Sequence, residues 1–200
     1  MKVLFIGPHP DDVEIGALGT LLNLRKDHEI FYITMSRCLD IPRNTNILYE
    51  YNNVVKELKV HTEILDLPNR ELSQRGKEIR EKLEDYRDKN IDLVFGPSLS
   101  DVHQDHQAVA QEIVRIFRYQ SVLFYEIPHS CPFFKPRFFF PLDENIVTEK
   151  IRILSLYKSQ SKRVYIQEPP IRAMMMFRGA EFNVKYAEGF EVYRLKNLNW

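Results

Sequence analysis

Five short apolar runs alternate with amphipathic stretches over residues 1–127. "KVLFI" (residues 2–6), "EIFYITM" (29–35), "HTEILDL" (61–67), "IDLVFGP" (91–97) and "SVLFYEI" (121–127) read as strands. Between them lie segments whose apolar side chains recur at helical spacing. "EIGALGTLLNLRKD" carries Ile15, Leu18, Leu21 and Leu22; "ILYEYNNVVKELKV" carries Leu48, Tyr51, Val54, Val55 and Leu58. Ser73 predicts an N-cap for "QRGKEIREKLEDYRDKN", with Ile79, Leu83 and Tyr86 on one face. "AVAQEIVRIF" predicts the helix after the fourth strand. Strict alternation of this kind implies parallel strands joined by right-handed crossovers. The expected fold is a Rossmann-like, doubly wound α/β sheet of order 3-2-1-4-5.

The rhythm breaks after residue 127. "PHSCPFFKPRFFFP" is rich in Pro and Phe, "DENIVTEKIRILSLYKSQSKR" predicts one long helix, and "AEGFEVYRL" ends in a strand-like run. Phe133, Phe134 and Phe138 to Phe140 suit either a hydrophobic flap over a site or ordinary packing of the C-terminal part on the sheet. They also suit a subunit contact, which leaves a homo-oligomer open.

Composition narrows the class. Two hundred residues suit one domain, with 1–127 as its core and 128–200 completing the site. Lys plus Arg, 28, equals Asp plus Glu, 28, which argues against a nucleic-acid partner. No apolar run approaches the roughly 20 residues a membrane span needs. The opening apolar run is too short for a signal peptide. Cys38 and Cys131 form no framework, so a reducing cytoplasm is the expected location.

Two stretches carry chemistry. "GPHPDDVE" (residues 7–14) leaves strand one, and "SDVHQDH" (100–106) leaves strand four. In an open doubly wound sheet, ligands bind at the carboxyl ends of strands where chain order reverses, and strands one and four are neighbours there. Zinc in hydrolases takes three ligands from His and Asp/Glu and keeps one place open. His9 and Asp12 can supply two, with Pro8 and Pro10 restricting the backbone beside His9. Either His103 or His106 can supply the third. Asp11 and the remaining histidine are left over as base and as oxyanion stabiliser or acid. Each stretch alone also reads blandly, "HPDD" as a surface turn and "HQDH" as a helix start capped by Asp101. His28 and His61 read as surface residues, whereas His129 follows strand five on the side of the site.

"PHPDDVEIGALGT" with "DVHQDHQAV" resembles the LmbE-like, or N-acetylglucosaminyl-phosphatidylinositol de-N-acetylase (PIG-L), family of zinc-dependent deacetylases. "YEIP", "SQSKRVY" and "FRGAEFNVKYAEGFEVYR" extend the likeness over most of the chain. The resemblance implies His9, Asp12 and His106 as zinc ligands and Asp11 as general base. His103 would stabilise the oxyanion or act as acid, and Asp105 would orient a histidine. The implied substrate is a small amino sugar, from which an N-acetyl group is removed. One region departs from the family: "SRCLDIPRNTN" follows strand two, and Ile47 stands where an arginine is common, three residues before Glu50. Arg37, Arg43 and Arg178 are candidates to hold an anionic handle instead, as Arg forks suit phosphate.

Overall fold

The computed structural model describes residues 1–39 and 46–196. The strands are β1 (Lys2–Gly7), β2 (Glu29–Thr34), β3 (His61–Ile64), β4 (Leu93–Pro97), β5 (Ser121–Tyr125), β6 (Phe138–Leu142) and β7 (Tyr186–Arg194). The helices are α1 (Asp12–Leu24), α2 (Ile47–Leu58), α3 (Gly76–Arg87), α4 (Gln104–Ile116), α5 (Glu144–Leu154) and α6 (Glu168–Glu181). All lie in or on one sheet of order β3-β2-β1-β4-β5-β7-β6. The first five strands are parallel, in the order the alternation predicts; β7 then runs antiparallel to both β5 and β6.

The central strands are apolar throughout because both faces are covered. In β1, Val3 and Phe5 face the core built with α1, α2, α5 and α6, while Leu4 and Ile6 face the one built with α3 and α4. Helix α1 lies close against β5: a Cβ at Gly16 would collide with the Tyr125 ring. The Tyr125 hydroxyl then donates to the Ile6 carbonyl at 2.8 Å.

A buried ion pair fastens the C-terminal strands to α1. Lys150 Nζ of α5 and Glu188 Oε1 of β7 are 2.7 Å apart and fully enclosed. Lys150 also donates to the Ile15 carbonyl at 2.6 Å, and Glu188 accepts the Gly19 and Thr20 N–H groups at 2.8 and 2.7 Å. Every charge here has partners, which a buried pair requires.

Several local expectations are corrected. Ser73 caps nothing; it sits in a 3₁₀ turn, Leu72–Gln74, that buries Leu72, and α3 starts only at Gly76. β3 stops at Ile64. Helix α4 begins at Gln104, so "HQDH" is its first turn and His103 its cap, accepting the Asp105 N–H at 3.2 Å. The long helix over 143–163 ends at Leu154, because tertiary bonds capture the residues beyond it. Tyr157 donates to Glu14 at 3.1 Å, and Ser159 gives its N–H and hydroxyl to Glu50 at 2.9 and 2.6 Å. Phe138 to Phe140 form the edge strand β6 beside the C-terminal end of α1, lining a groove with Leu24 and His28. They are therefore no flap over the N-terminal end of that helix, which lies about 20 Å away at 1.5 Å per residue.

Candidate metal centre

Because β1 and β4 are adjacent and parallel, the turns leaving them emerge side by side. The first turn is tight. Asp11 adopts φ 89°, a left-handed conformation rare outside glycine, and accepts the Ile15 N–H at 2.9 Å. Asp12 opens α1 and folds its Oδ2 back onto the His9 N–H at 2.8 Å. The second turn delivers His103 and His106 one helical turn apart, with their rings stacked at 4.5 Å.

Three donor atoms converge. Asp12 Oδ2 lies 3.2 Å from His9 Nδ1 and 3.3 Å from His106 Nε2, and the two nitrogens are 3.3 Å apart. Zinc bonds of 2.0–2.2 Å in a tetrahedron imply ligand separations of about 3.3–3.6 Å, so this triangle has the size of a zinc face. A looser alternative exists: ring nitrogens of His9, His103 and His106 lie within 4.8 Å of one another. The triangle with Asp12 is tighter and includes an anion, and His103 Nδ1 is already spent on the helix cap.

Both imidazoles of the triangle are held from behind. His9 Nε2 meets Asp105 Oδ2 at 2.9 Å, and His106 Nδ1 meets Asp101 Oδ2 at 2.7 Å. Each carboxylate can take the rear proton, which would leave the other nitrogen's lone pair for a metal in the triangle. Asp105 does more: it also accepts the Arg70 N–H at 2.6 Å and the Leu72 N–H at 3.2 Å, tying down the segment after β3. Asp101, weighed from sequence only as a cap, further accepts from Ser130 and Cys131 at 3.0 and 3.2 Å.

The electrostatics suit a cation. Burial opposes charge on His106, yet Asp12 and Asp101 outweigh it and hold the ring up at about 10. Burial likewise favours neutral Asp12, but His106 and His9 drive its carboxyl far below the usual range. Asp11 goes the other way: burial and the neighbouring Asp12 raise it well above an ordinary carboxyl. His103 is lowered to about 4 by burial and by His106, so it is neutral. Two carboxylates that close, pushed in opposite directions, mark a site with divided roles.

These groups open into a cavity of about 340 Å³. Its lining includes His9, Asp11, Asp12, His103 and His106, with Cys38, Ile47 and Ile127 as apolar wall. His129 lines it too, stacked on Tyr165 at 4.3 Å. The arginines distribute differently. Arg178 does not line the cavity: its fork grips Glu126 with two 2.7 Å bonds and a third goes to Glu181. Arg37 lies outside the lining, 3.5 Å from Asp66. Arg43 lies outside the described residues. The cavity's own arginines are Arg70 and Arg163, neither singled out from sequence. The nearest signal was "SQSKRVY", which contains Arg163, 3.7 Å from Asp11.

The model of the PIG-L family, GlcNAc-PI de-N-acetylase, matches residues 4–117, spanning both turns. The chain belongs to this family. PIG-L proteins are deacetylases, hydrolases acting on N-acetylated sugars. An uncharacterized deacetylase of Escherichia coli K12, YaiS, is 29% identical over 168 residues, 78% of this chain and 90% of that one. Solved structures share the fold over almost the whole molecule. A conserved protein of Thermus thermophilus superimposes with a TM-score of 0.82 at 22% identity, covering 99% of this chain and 97% of that one. The N,N'-diacetylchitobiose deacetylase of Pyrococcus horikoshii does so with a TM-score of 0.80 at 20% identity, over 99% and 87%. Among the described residues, no helix is long and apolar enough to cross a membrane.

Proposed function

We propose that this PIG-L chain is a metal-dependent N-deacetylase of a small amino sugar or nucleotide sugar, releasing acetate and a free amine. The observation that carries the reading is the 3.2–3.3 Å triangle of Asp12, His9 and His106, with Asp11 and His103 lining the same cavity. His9, Asp12 and His106 would hold the metal. Zinc is the first choice for such a set, although iron, cobalt or manganese also suit imidazole and carboxylate. When bound, a zinc ion supplies a Lewis acid that acidifies water and polarises the acetamide carbonyl.

The chain's own groups do the rest. Asp11, raised by burial, is poised to take the proton of the attacking water; assistance of this kind contributes roughly 10²–10⁴-fold. With Nδ1 of His103 accepting the Asp105 N–H, the neutral ring carries its proton on Nε2, where it donates to the oxyanion as the carbonyl becomes tetrahedral. Arg163, 3.7 Å from Asp11, works against that rise. Asp105 and Asp101 hold the two imidazoles in the tautomers a metal needs.

A second reading within hydrolases is an amidase of another small metabolite, favoured by Ile47 on the cavity wall where the family resemblance places an arginine. A panel of N-acetylated sugars and other amides, offered to zinc-loaded protein, separates the two. Acetate from the sugars supports deacetylation; cleavage confined to other amides supports the amidase.

A further inference from the structure

Two arginines line the cavity beside the hydrolytic groups, Arg70 exposed and Arg163 half-buried. Arg70 comes from the segment after β3 and Arg163 from the segment after α5, and both line the same 340 Å³ space. Among the described residues, the Arg70 side chain has no carboxylate partner and no hydrogen bond. Arg163 gives one N–H to the Tyr165 hydroxyl at 2.9 Å and approaches Asp11 at 3.7 Å. Of its five donors, most remain unspent.

Both arginines stand on backbone that buried carboxylates pin in place. The Arg70 N–H is gripped by Asp105 at 2.6 Å, its carbonyl accepts from Gln104, and its φ is 65°. A left-handed non-glycine residue costs energy and persists where its surroundings over-determine it. The turn leading to Arg163 is fixed through Ser159, whose N–H and hydroxyl both go to buried Glu50. A neutral sugar asks for donors and acceptors together, whereas a pair of acceptor-free forks suits phosphate or carboxylate.

We propose that Arg70 and Arg163 bind an anionic group, phosphate or carboxylate, that the substrate carries outside its acetamide. The inference rests on the deacetylase reading and narrows its substrate to acidic amino-sugar derivatives.

The test uses zinc-loaded protein and the amine products, which report binding without turnover. Titration calorimetry compares glucosamine 1-phosphate, the carboxymethyl glycoside of glucosamine and its neutral methyl glycoside. At least one charged ligand is expected to bind about tenfold or more tightly than the methyl glycoside, the scale of a charge-assisted bond. Whichever charged ligand wins identifies the handle. That preference is expected to fall about tenfold in Arg70→Gln and in Arg163→Gln, with unfolding midpoints confirming that both variants fold. Equal affinities for all three ligands, or a preference retained in both variants, would overturn the proposal. Acetate release from the N-acetylated counterparts tests the deacetylase reading separately.

Discussion

His9 and Asp105, 96 positions apart in the chain, meet at 2.9 Å between Nε2 and Oδ2. The same oxygen holds Arg70 in place, so one carboxylate couples the turn after β1, the first turn of α4 and the cavity wall. Asp105→Asn keeps the shape and loses the charge. Zinc affinity is expected to drop about 10–100-fold, as for other residues that back a metal-binding histidine. Competition against a chelator of known affinity measures it; unchanged affinity removes Asp105 from the account.

His106→Ala removes one corner of the donor triangle and leaves Asp101 facing an empty space. Metal stoichiometry is expected to fall towards zero at micromolar zinc, with His9→Ala and Asp12→Ala alike. Elemental analysis after gel filtration decides it, and a full zinc equivalent in His106→Ala refutes the ligand set.

Asp11→Asn is expected to behave in the opposite manner. Its carboxyl stands outside the triangle, so zinc remains while turnover falls by roughly 10²–10⁴-fold. Loss of zinc together with activity would make Asp11 a ligand rather than a base.

The Lys150–Glu188 pair predicts a stability effect away from the site. Lys150→Met leaves a buried carboxylate without its cation, a loss of about 3–5 kcal/mol. Adding Glu188→Gln removes the stranded charge; its one amide oxygen still accepts from Thr20, whereas Gly19, which bonds the other carboxylate oxygen, loses its acceptor. Urea unfolding is expected to show the double variant more stable than the single one; the reverse order would show that the stranded charge is not the source of the loss.

Acid sensitivity has a named contributor in Glu144, which Lys185 and then Arg172 lower from 4.5 to about 2. A carboxyl depressed in the folded state adds stability above its unfolded value, and that stability disappears as pH falls from about 4.5 towards 2. Glu144→Gln is therefore expected to be less stable than the parent at pH 7, with the gap closing towards pH 2. A gap independent of pH would assign the effect to packing.

Much of this was legible in the chain because it is periodic. Continuous apolar runs in β1, β2, β4 and β5 and the 3.6-residue spacing of α1 and α2 reveal the alternation from which the order 3-2-1-4-5 is expected, and that order brings residues 9–12 beside 103–106. What escaped depends on contacts that leave no period. The 143–163 stretch is helical by pattern, yet Glu14 and Glu50 claim Tyr157 and Ser159 and end α5 early. Helix α6 opens with Pro169 and Pro170, a start signal obscured by the lack of a capping side chain at Gln167. Asp101 supports His106 from five residues away, and nothing in the spacing separates that from a helix cap. Arg178 in "FRG" attracted notice, whereas Arg163 in "SKR" is the arginine on the cavity wall. Burial against Glu126 distinguishes them, and burial is a property of the fold.

Zinc K-edge X-ray absorption on the metal-loaded protein tests the central claim most directly. Cys38 on the cavity wall offers a sulfur alternative. The account predicts one zinc per chain, bound only by nitrogen and oxygen at about 2.0–2.2 Å, with the scattering signature of two imidazoles. A sulfur shell near 2.3 Å, or a single imidazole, would contradict it.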